Sequence, residues 1–498
     1  MEENINFMNN PNLYEINTRV WLKRFNTDDK KAKLDDVPIS YWDDLKSKGI
    51  DIIWLMGIWK TCPETVDKYC FEEGLVREYK AALKDYSKED VIGSPFAIDS
   101  YQVNPEIGTE SSITKLKAIL NERGMKLMLD FIHNHFSAES SLVLSHPEIF
   151  LEANEEYYKN DSHTFFKHSK LNNKIFAHGR DPFFPAWEDT IQVNYFSSAA
   201  REYMIKVLVK LTKICDGVRC DMAMLAFNNV FKNTWGNVLS SMGYEKPQKE
   251  FWNVALEIVK DYRSDFIFLA EAYWDLEWEL QQLGFDYTYD KILTDRLKVG
   301  YVHDIRDHLL AEHDYQMKSA RFIENHDEER AMKSMGKNKS KAAAVVMSTL
   351  PGMHFFYDGQ FEGRKIKVPV QLGREPHEKI VKCLPEFYEN LLTAINSDIF
   401  KVGEWSLLSS SEAWKGSKTF HNILVWQWRH AGEKRLVVVN FSDASAQCRI
   451  KLDVKGYPEE MVIEDILNKK QYLRSASDVQ ANGLFIELGS FQSHIFEY

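Results

Sequence analysis

The sequence lacks most features that would give it a specialised class. Its six cysteines, at positions 62, 70, 215, 220, 383 and 448, show no CxxC spacing. That argues against a disulfide framework or a thiolate zinc site and predicts reduced thiols in a cytoplasmic protein. No apolar run reaches the length of a bilayer span. Residues 1–12 are acidic and polar, without the basic and apolar segments of a signal peptide. There is no internal repeat and no low-complexity tract. Lys and Arg total 62 against 74 Asp and Glu, a formal net charge of −12, and no long basic stripe occurs. Nucleic acid and membrane are therefore not expected partners, while a neutral substrate fits. None of these features speaks to oligomeric state.

What is present is a globular composition, 44% hydrophobic and 13% aromatic, over a length that calls for two or three structural units. Strand-like and helix-like runs alternate from residue 13 to about residue 396. Apolar strand candidates fall at residues 13–22, 51–59, 126–130, the run ending at Asp221, 266–271, 285–289, 321–324 and 353–357. Helices are expected over residues 111–124, with Ile113, Leu116 and Leu120 on one face and Gly124 closing the end, and over residues 199–214, with Tyr203, Val207, Leu208, Leu211 and Ile214 as a stripe. Eight strands alternating with helices predict an α/β fold, a (β/α)8 TIM barrel. Two regions break the rhythm. Residues 136–190 are aromatic and polar without a period and read as an inserted lobe after the third strand. Residues 396–498 carry short β-rich runs between polar turns and read as a C-terminal antiparallel β-sandwich. The barrel then comprises residues 1–135 and 191–395.

Several strand candidates end in ionisable residues: Asp130 followed by Asn134 and His135, Asp221 with Arg219 two residues before it, Glu271, and Asn325-His326-Asp327. A parallel barrel builds its site this way, because strand interiors are apolar and their C-terminal ends open into a cleft. Carboxylates on neighbouring strand ends are what glycosidic cleavage needs: an ionised one to attack the anomeric carbon and a protonated one to serve the leaving oxygen. Arg219 shares a strand face with Asp221 and favours its ionised form, which suits a nucleophile. Glu271 lies between Leu269-Ala270 and Ala272-Tyr273-Trp274, apolar company that favours a protonated acid. A metal-dependent barrel enzyme using Asp130, Asp221 and Glu271 as ligands is an alternative, as is a non-catalytic sugar-binding protein on the same fold.

Asp130-Phe-Ile-His-Asn134-His135, Gly217-Val-Arg219-Cys-Asp221, Glu271 and Asn325-His326-Asp327 resemble, in order, the four signature regions of the α-amylase superfamily (glycoside hydrolase family 13). The segment from Gly93-Ser-Pro-Phe96 through Tyr101 and Asn104 to Gly108-Thr resembles that family's loop after strand two. The resemblance implies a retaining glycosidase for α-glucosidic bonds, or a transglycosidase from the same covalent intermediate, with an α-glucan or small glucoside as substrate. It implies Asp221 as nucleophile, Glu271 as acid/base and Asp327 as transition-state stabiliser. Arg219 would orient Asp221, His135 and His326 would bond the sugar, and Asp130 would organise the site from behind. Phe96 stands where many members have Tyr. Gln192 stands where calcium-binding members have Asp, so no cofactor is expected and calcium is not favoured.

Other residues are open to two readings. Tyr101 and Trp274 are candidate substrate contacts, while Trp278 reads as packing. Phe176, Phe183, Phe184 and Trp187 either stack on sugar faces or form the core of the inserted lobe. Glu362 and Arg364, beyond the eighth strand, lie at the active-site end. Met224 and Leu225 follow the nucleophile where polar sugar contacts are common, and either line an apolar acceptor side or pack beneath it. Cys220 should face away from the site.

Overall fold

A computed structural model describes residues 9–498, so most of the N-terminal stretch read as lacking a signal peptide lies outside the described residues. Eight parallel strands close into a barrel: β1 (Asn12–Asn17), β2 (Ile52–Met56), β3 (Lys126–Phe131), β4 (Gly217–Cys220), β5 (Ile267–Ala270), β6 (Tyr287–Tyr289), β7 (Ser319–Arg321) and β8 (Met353–Tyr357). Each strand pairs with its neighbours in sequence, and β1 closes the ring against β8. Alternate side chains point to opposite faces. Leu13, Ile52, Trp54, Met128, Leu269 and Phe355 fill the barrel axis. Tyr14, Ile53, Leu127, Val218 and Phe268 face the surrounding helices. Both faces are buried, which is why the strands read as unbroken apolar runs.

The structure moves two boundaries and changes the buried face of one helix. The run at residues 13–22 leaves the sheet at Asn17, and Thr18–Trp21 is helical. The seventh strand lies earlier than residues 321–324, because Ser319 and Ala320 are buried in the ladder yet carry little apolar signal. Helix Ser198–Ile214 buries Ala200, Met204, Leu208 and Leu211, leaving Tyr203 and Val207 only partly covered. Helix Glu110–Glu122 buries the expected Ile113, Leu116 and Leu120.

After β3 the chain enters the inserted segment. It holds a three-stranded antiparallel sheet, with Lys174–Ala177 between Glu152–Ala153 and Phe165–His168. It returns through Thr190–Gln192, which pairs with His135–Ser137 in a register that sets Gln192 opposite His135. The C-terminal part contains a six-stranded sheet and a three-stranded sheet. Ile423, Val425, Leu436 and Val438 of the larger sheet pack with Cys448, Ile450, Ile486 and Leu488 of the smaller. The other face of the larger sheet, with Trp426, Trp428, Val437 and Val439, joins the core around the barrel. Trp426 and Trp428 both donate their indole N–H to the carbonyl of Thr349, at 3.0 and 2.7 Å. That carbonyl ends helix Gly336–Thr349 and has no partner within the helix. Among the described residues no helix is long and apolar enough to cross a membrane.

Trp426→Ala removes a fully buried indole and one of these bonds. It is expected to cost about 3–5 kcal/mol, read as a lower urea midpoint. An unchanged midpoint would show that this sheet does not anchor the barrel.

Candidate active site

Arg219 is the centre of the C-terminal mouth of the barrel. It lies on β4, which approaches β5 so closely that a side chain at Gly217 would sit 2.7 Å from the carbonyl of Ile267. Fully buried, Arg219 donates from Nη1 to Asp221 Oδ1 and from Nη2 to Glu271 Oε2, both at 2.6 Å. Its Nε donates to the hydroxyl of Tyr289 at 3.3 Å. The guanidinium also lies 5.2 Å from the ring of Trp54 and 5.5 Å from that of Phe96. One cation thus holds two strand-end carboxyl groups inside an aromatic collar.

Glu271 follows β5 directly. Its Oε2 receives a second donor, the backbone N–H of Met222 at 2.7 Å, and its Oε1 receives the hydroxyl of Tyr273 at 2.7 Å. Met222 adopts a left-handed φ of 45°, an uncommon conformation for its residue type. Burial raises the Glu271 carboxyl; Arg219 opposes this, Asp221 and Asp327 reinforce it, and the result is about 7. The direction agrees with the expectation from apolar company, but Tyr273 is a hydrogen-bond partner and not a bystander.

Asp327 lies beyond β7 on a turn in which Asn325 Oδ1 accepts from the N–H groups of Asp327 and Glu328, each at 2.9 Å. With 43% of its side chain exposed, it opens onto the cleft. Desolvation raises its carboxyl, but His326, Arg219 and Lys367 outweigh it and hold the group low, an effect that solvent in the open cleft screens. His326 Nε2 stands 2.9 Å from Asp327 Oδ2, while Nδ1 bonds Glu15 Oε1 on β1. Burial pulls the imidazole down, yet Asp327 and Glu15 raise it to about 10. Phe96 stacks on the imidazole at 5.4 Å and 27°.

The remaining candidates divide. His135 is buried where the charge of Asp221 reaches it, with its ring 5.2 Å from Trp187. Asp130 lies behind the site, accepting from Trp54 Nε1 at 3.1 Å and the Gly57 N–H at 2.8 Å. Burial pushes its carboxyl up to about 6. Fully buried and held by these donors, it supports the site from behind. Tyr101 is displaced from its expected role. It packs against Trp59 and Phe131, and its hydroxyl donates to the carbonyl of Ile132 at 2.8 Å, so it supports the site from beneath. Trp274 is partly exposed with φ of 65°, and Phe183 of the inserted segment meets it edge-on at 5.0 Å. Phe184 is exposed beside Phe183, Phe176 is lobe core, and Trp278 packs with Tyr315. Met224 and Leu225 are buried in the loop after β4, which fits the packed of the two readings. Arg364 pairs with Glu375, and Cys220 is buried on the helix-facing side of β4.

Sequence reasoning passed over Glu15, Tyr273 and Tyr289. Glu15 and Tyr289 lie within barrel strands. An ionisable residue inside an apolar strand was the available signal for Glu15.

Calcium, raised by the resemblance, can be tested on Gln192. Its Nε2 donates to the carbonyl of Asn134 at 2.9 Å, to Asn134 Oδ1 at 2.9 Å and to the carbonyl of Val193 at 3.0 Å. Turning the amide would set oxygen against three oxygens, so nitrogen belongs there. The amide already occupies the convergence of oxygens that a hard cation would need, and the residues do not fit calcium. Among the described residues no group of three or more His, Cys, Asp or Glu is arranged to hold a metal ion.

The architecture and the mouth define a (β/α)8 barrel protein with a strand-end carboxyl cluster organised by one buried arginine. Residues 38–382 match the family described as alpha amylase, catalytic domain, and the chain belongs to that family. It is 24% identical over 293 residues to Alpha-amylase 3 of Dictyoglomus thermophilum, covering 56% of this chain and 55% of that protein. It is 23% identical over 282 residues to Alpha-amylase MalA of Haloarcula japonica, covering 54% of this chain and 36% of that protein. The chain thus spans about half or less of the curated relatives it matches. Among solved structures, an α-amylase from Lactobacillus plantarum superposes with a TM-score of 0.67 at 20% identity over 98% of each chain. A noncanonic maltogenic α-amylase, AmyB, from Thermotoga neapolitana gives the same values. These likenesses show the fold.

Gln192→Asp would face a buried carboxylate with three oxygens. It is expected to lower stability by about 3 kcal/mol or more, with part of the melting temperature restored by millimolar calcium, while chelator leaves the wild-type melting temperature unchanged. Chelator-induced unfolding of the wild type would overturn the account of Gln192.

Proposed function

We propose that the protein is a retaining glycosidase for α-glucosidic bonds. Asp221 attacks the anomeric carbon. Glu271 protonates the leaving oxygen and then takes a proton from the incoming water. Asp327 and His326 bond sugar hydroxyls, and His135 contributes to the same subsite. The observation that carries this reading is the single guanidinium of Arg219 bound to both Asp221 and Glu271. It keeps the two carboxyl groups within one guanidinium's reach, the short separation that a double displacement requires. The environments support the same division of roles. Glu271, raised to about 7, holds a proton near neutrality, as a general acid must. The α-amylases to which the chain is similar support an α-glucan or a short glucoside as substrate. The six free thiols fit the cytoplasmic location in this reading.

Transfer to a second sugar begins from the same covalent intermediate. The Trp274–Phe183 pair favours considering it, because it sets an aromatic surface across the inserted segment and the loop after β5. Incubation with maltooligosaccharides and with sucrose in labelled water separates the outcomes: label in every new reducing end marks hydrolysis, and unlabelled longer products mark transfer.

Asp221→Asn keeps the shape of the side chain and removes the attacking charge. Turnover is expected to fall by about three orders of magnitude or more with the melting temperature nearly retained. Near-normal turnover would remove Asp221 from its role.

The pH dependence follows from the sign of the Glu271 shift. The acid works protonated and its proton is lost near 7. So kcat/KM is expected to hold at mildly acidic pH and to fall about tenfold per unit above neutrality. A profile still rising at pH 9 would contradict the assignment.

A further inference from the structure

We infer that Glu15 is a positioning residue of this site, acting through His326 to hold Asp327 charged and correctly turned. The inference rests on the glycosidase reading and adds a residue to it. Along β1, Leu13 faces the barrel axis while Tyr14 and Ile16 face the helices. Strand alternation therefore points Glu15 inward, one layer above Leu13 and beneath the mouth. There it is completely buried. Its Oε1 meets His326 Nδ1, and its Oε2 has no hydrogen-bond partner.

Among the described residues, no other side chain hydrogen-bonds or ion-pairs with the Glu15 carboxyl group. Its ionisable neighbours are Tyr289, Tyr357 and Glu324. Arg330 is committed to Glu324, and Arg219 to Asp221 and Glu271. The strand itself needs no charge here, since an apolar residue or a glutamine would fill the position more cheaply. Among the described residues the compensation comes from His326, and it is greatest when that ring is an imidazolium.

His326 has a carboxyl group at each ring nitrogen, Glu15 at Nδ1 and Asp327 at Nε2. Flanked in this way, the ring keeps both protons and carries a positive charge between the two carboxyl groups. Phe96 stacks on its face and Trp54 meets it edge-on at 5.7 Å, which fixes its rotation. Asp130 lies close enough to feel its charge, and Lys367 bonds the backbone carbonyl of Asp327. His326 Nε2 stands 2.9 Å from Asp327 Oδ2, and this ion pair holds the Asp327 carboxylate at the edge of the cleft. Without Glu15 the ring is free to become neutral. A neutral ring offers Asp327 no positive charge, and Glu15 opposes that state from a residue 311 positions away in sequence.

The test begins with Asp221→Asn, whose loss of turnover establishes the glycosidase reading independently. Glu15→Gln keeps the shape and removes the charge. It is expected to lower kcat about 10- to 100-fold with little change in KM or melting temperature. A second group should then titrate in the alkaline limb, steepening it and moving it to lower pH. In a double-mutant cycle, Glu15→Gln placed on His326→Gln should cause no further loss of kcat. A merely structural role would instead lower the melting temperature, leave the pH profile unmoved, and give equal losses on both backgrounds. Should Glu15→Gln be too unstable to assay, Glu15→Asp retains the charge and is expected to keep the wild-type slope of the alkaline limb. Wild-type kcat and profile in Glu15→Gln, equal losses in the cycle, or a steepened limb in Glu15→Asp would each overturn the inference. If Asp221→Asn is inactive in the same series, that failure falls on Glu15 alone.

Discussion

A guanidinium without solvent needs negative charge on more than one side, and the mouth of this barrel is arranged around meeting that need for Arg219. Stripping a buried ion of a partner costs about 3–5 kcal/mol, so Arg219 constrains every element that supplies one. β4 and β5 must lie close enough for Asp221 and Glu271 to reach opposite nitrogens, and Gly217 removes the side chain that would keep them apart. β6 must end on Tyr289 to satisfy Nε. β2 and the loop after it must deliver Trp54 and Phe96 as the aromatic collar. Closure of the sheet is what lets strands 2, 4, 5 and 6 meet at one side chain.

From that shared cation the carboxyl groups diverge by environment. Glu271 is buried, shares Arg219 with Asp221, and sits where Asp327 adds further negative charge, so its proton is easy to keep. Asp327 faces the open cleft and has an imidazolium of its own, so its charge is easy to keep. Two carboxyl groups pushed in opposite directions within one cleft are the electrostatic condition for acid and electrostatic stabiliser to coexist near neutral pH. The arrangement is not cheap in stability, since Glu15, Asp130 and Glu271 are all removed from water. Natural sites of this kind accept that cost because a more comfortable protein would hold its charges where no substrate could use them.

The parts of this design legible in sequence are those that violate a local rule. Asp130, Asp221 and Glu271 stand at the ends of apolar strands, and such breaks in hydrophobic pattern are visible one residue at a time. Arg219 was legible for a second reason, since period-two alternation ties it to Asp221. The eight strands were legible because barrel strands buried on both faces make continuous apolar runs. The seventh was misplaced because Ser319 and Ala320 are buried without being strongly apolar. Tyr101 was misjudged in a different way, and Met224 was left open for the same reason: whether a side chain faces cleft or core depends on loop conformation, which no periodicity reports. Tyr273 read as apolar company because a hydroxyl two residues from a carboxylate looks no different from one that points away. Glu15 was visible as a charge in a strand, yet its meaning depends on His326, which only closure of the barrel brings to it.

Gln192 illustrates how far a single departure from a motif can be carried. In the sequence it is a substitution that weakens the case for an ion. In the structure its amide nitrogen is the point on which Asn134 and Val193 converge, directly opposite His135 in the strand pairing. The junction between barrel and inserted segment is thereby made of neutral hydrogen bonds, whose strength does not depend on the concentration of a free cation. The same inserted segment carries Phe183 to Trp274 across the mouth. What positions that aromatic surface is therefore the packing and hydrogen bonding of the chain itself. The strand-end carboxyl groups, set by Arg219 and the barrel strands, are fixed by a different part of the fold. His135 links the two, since it pairs opposite Gln192 in the junction and lies where the charge of Asp221 reaches it.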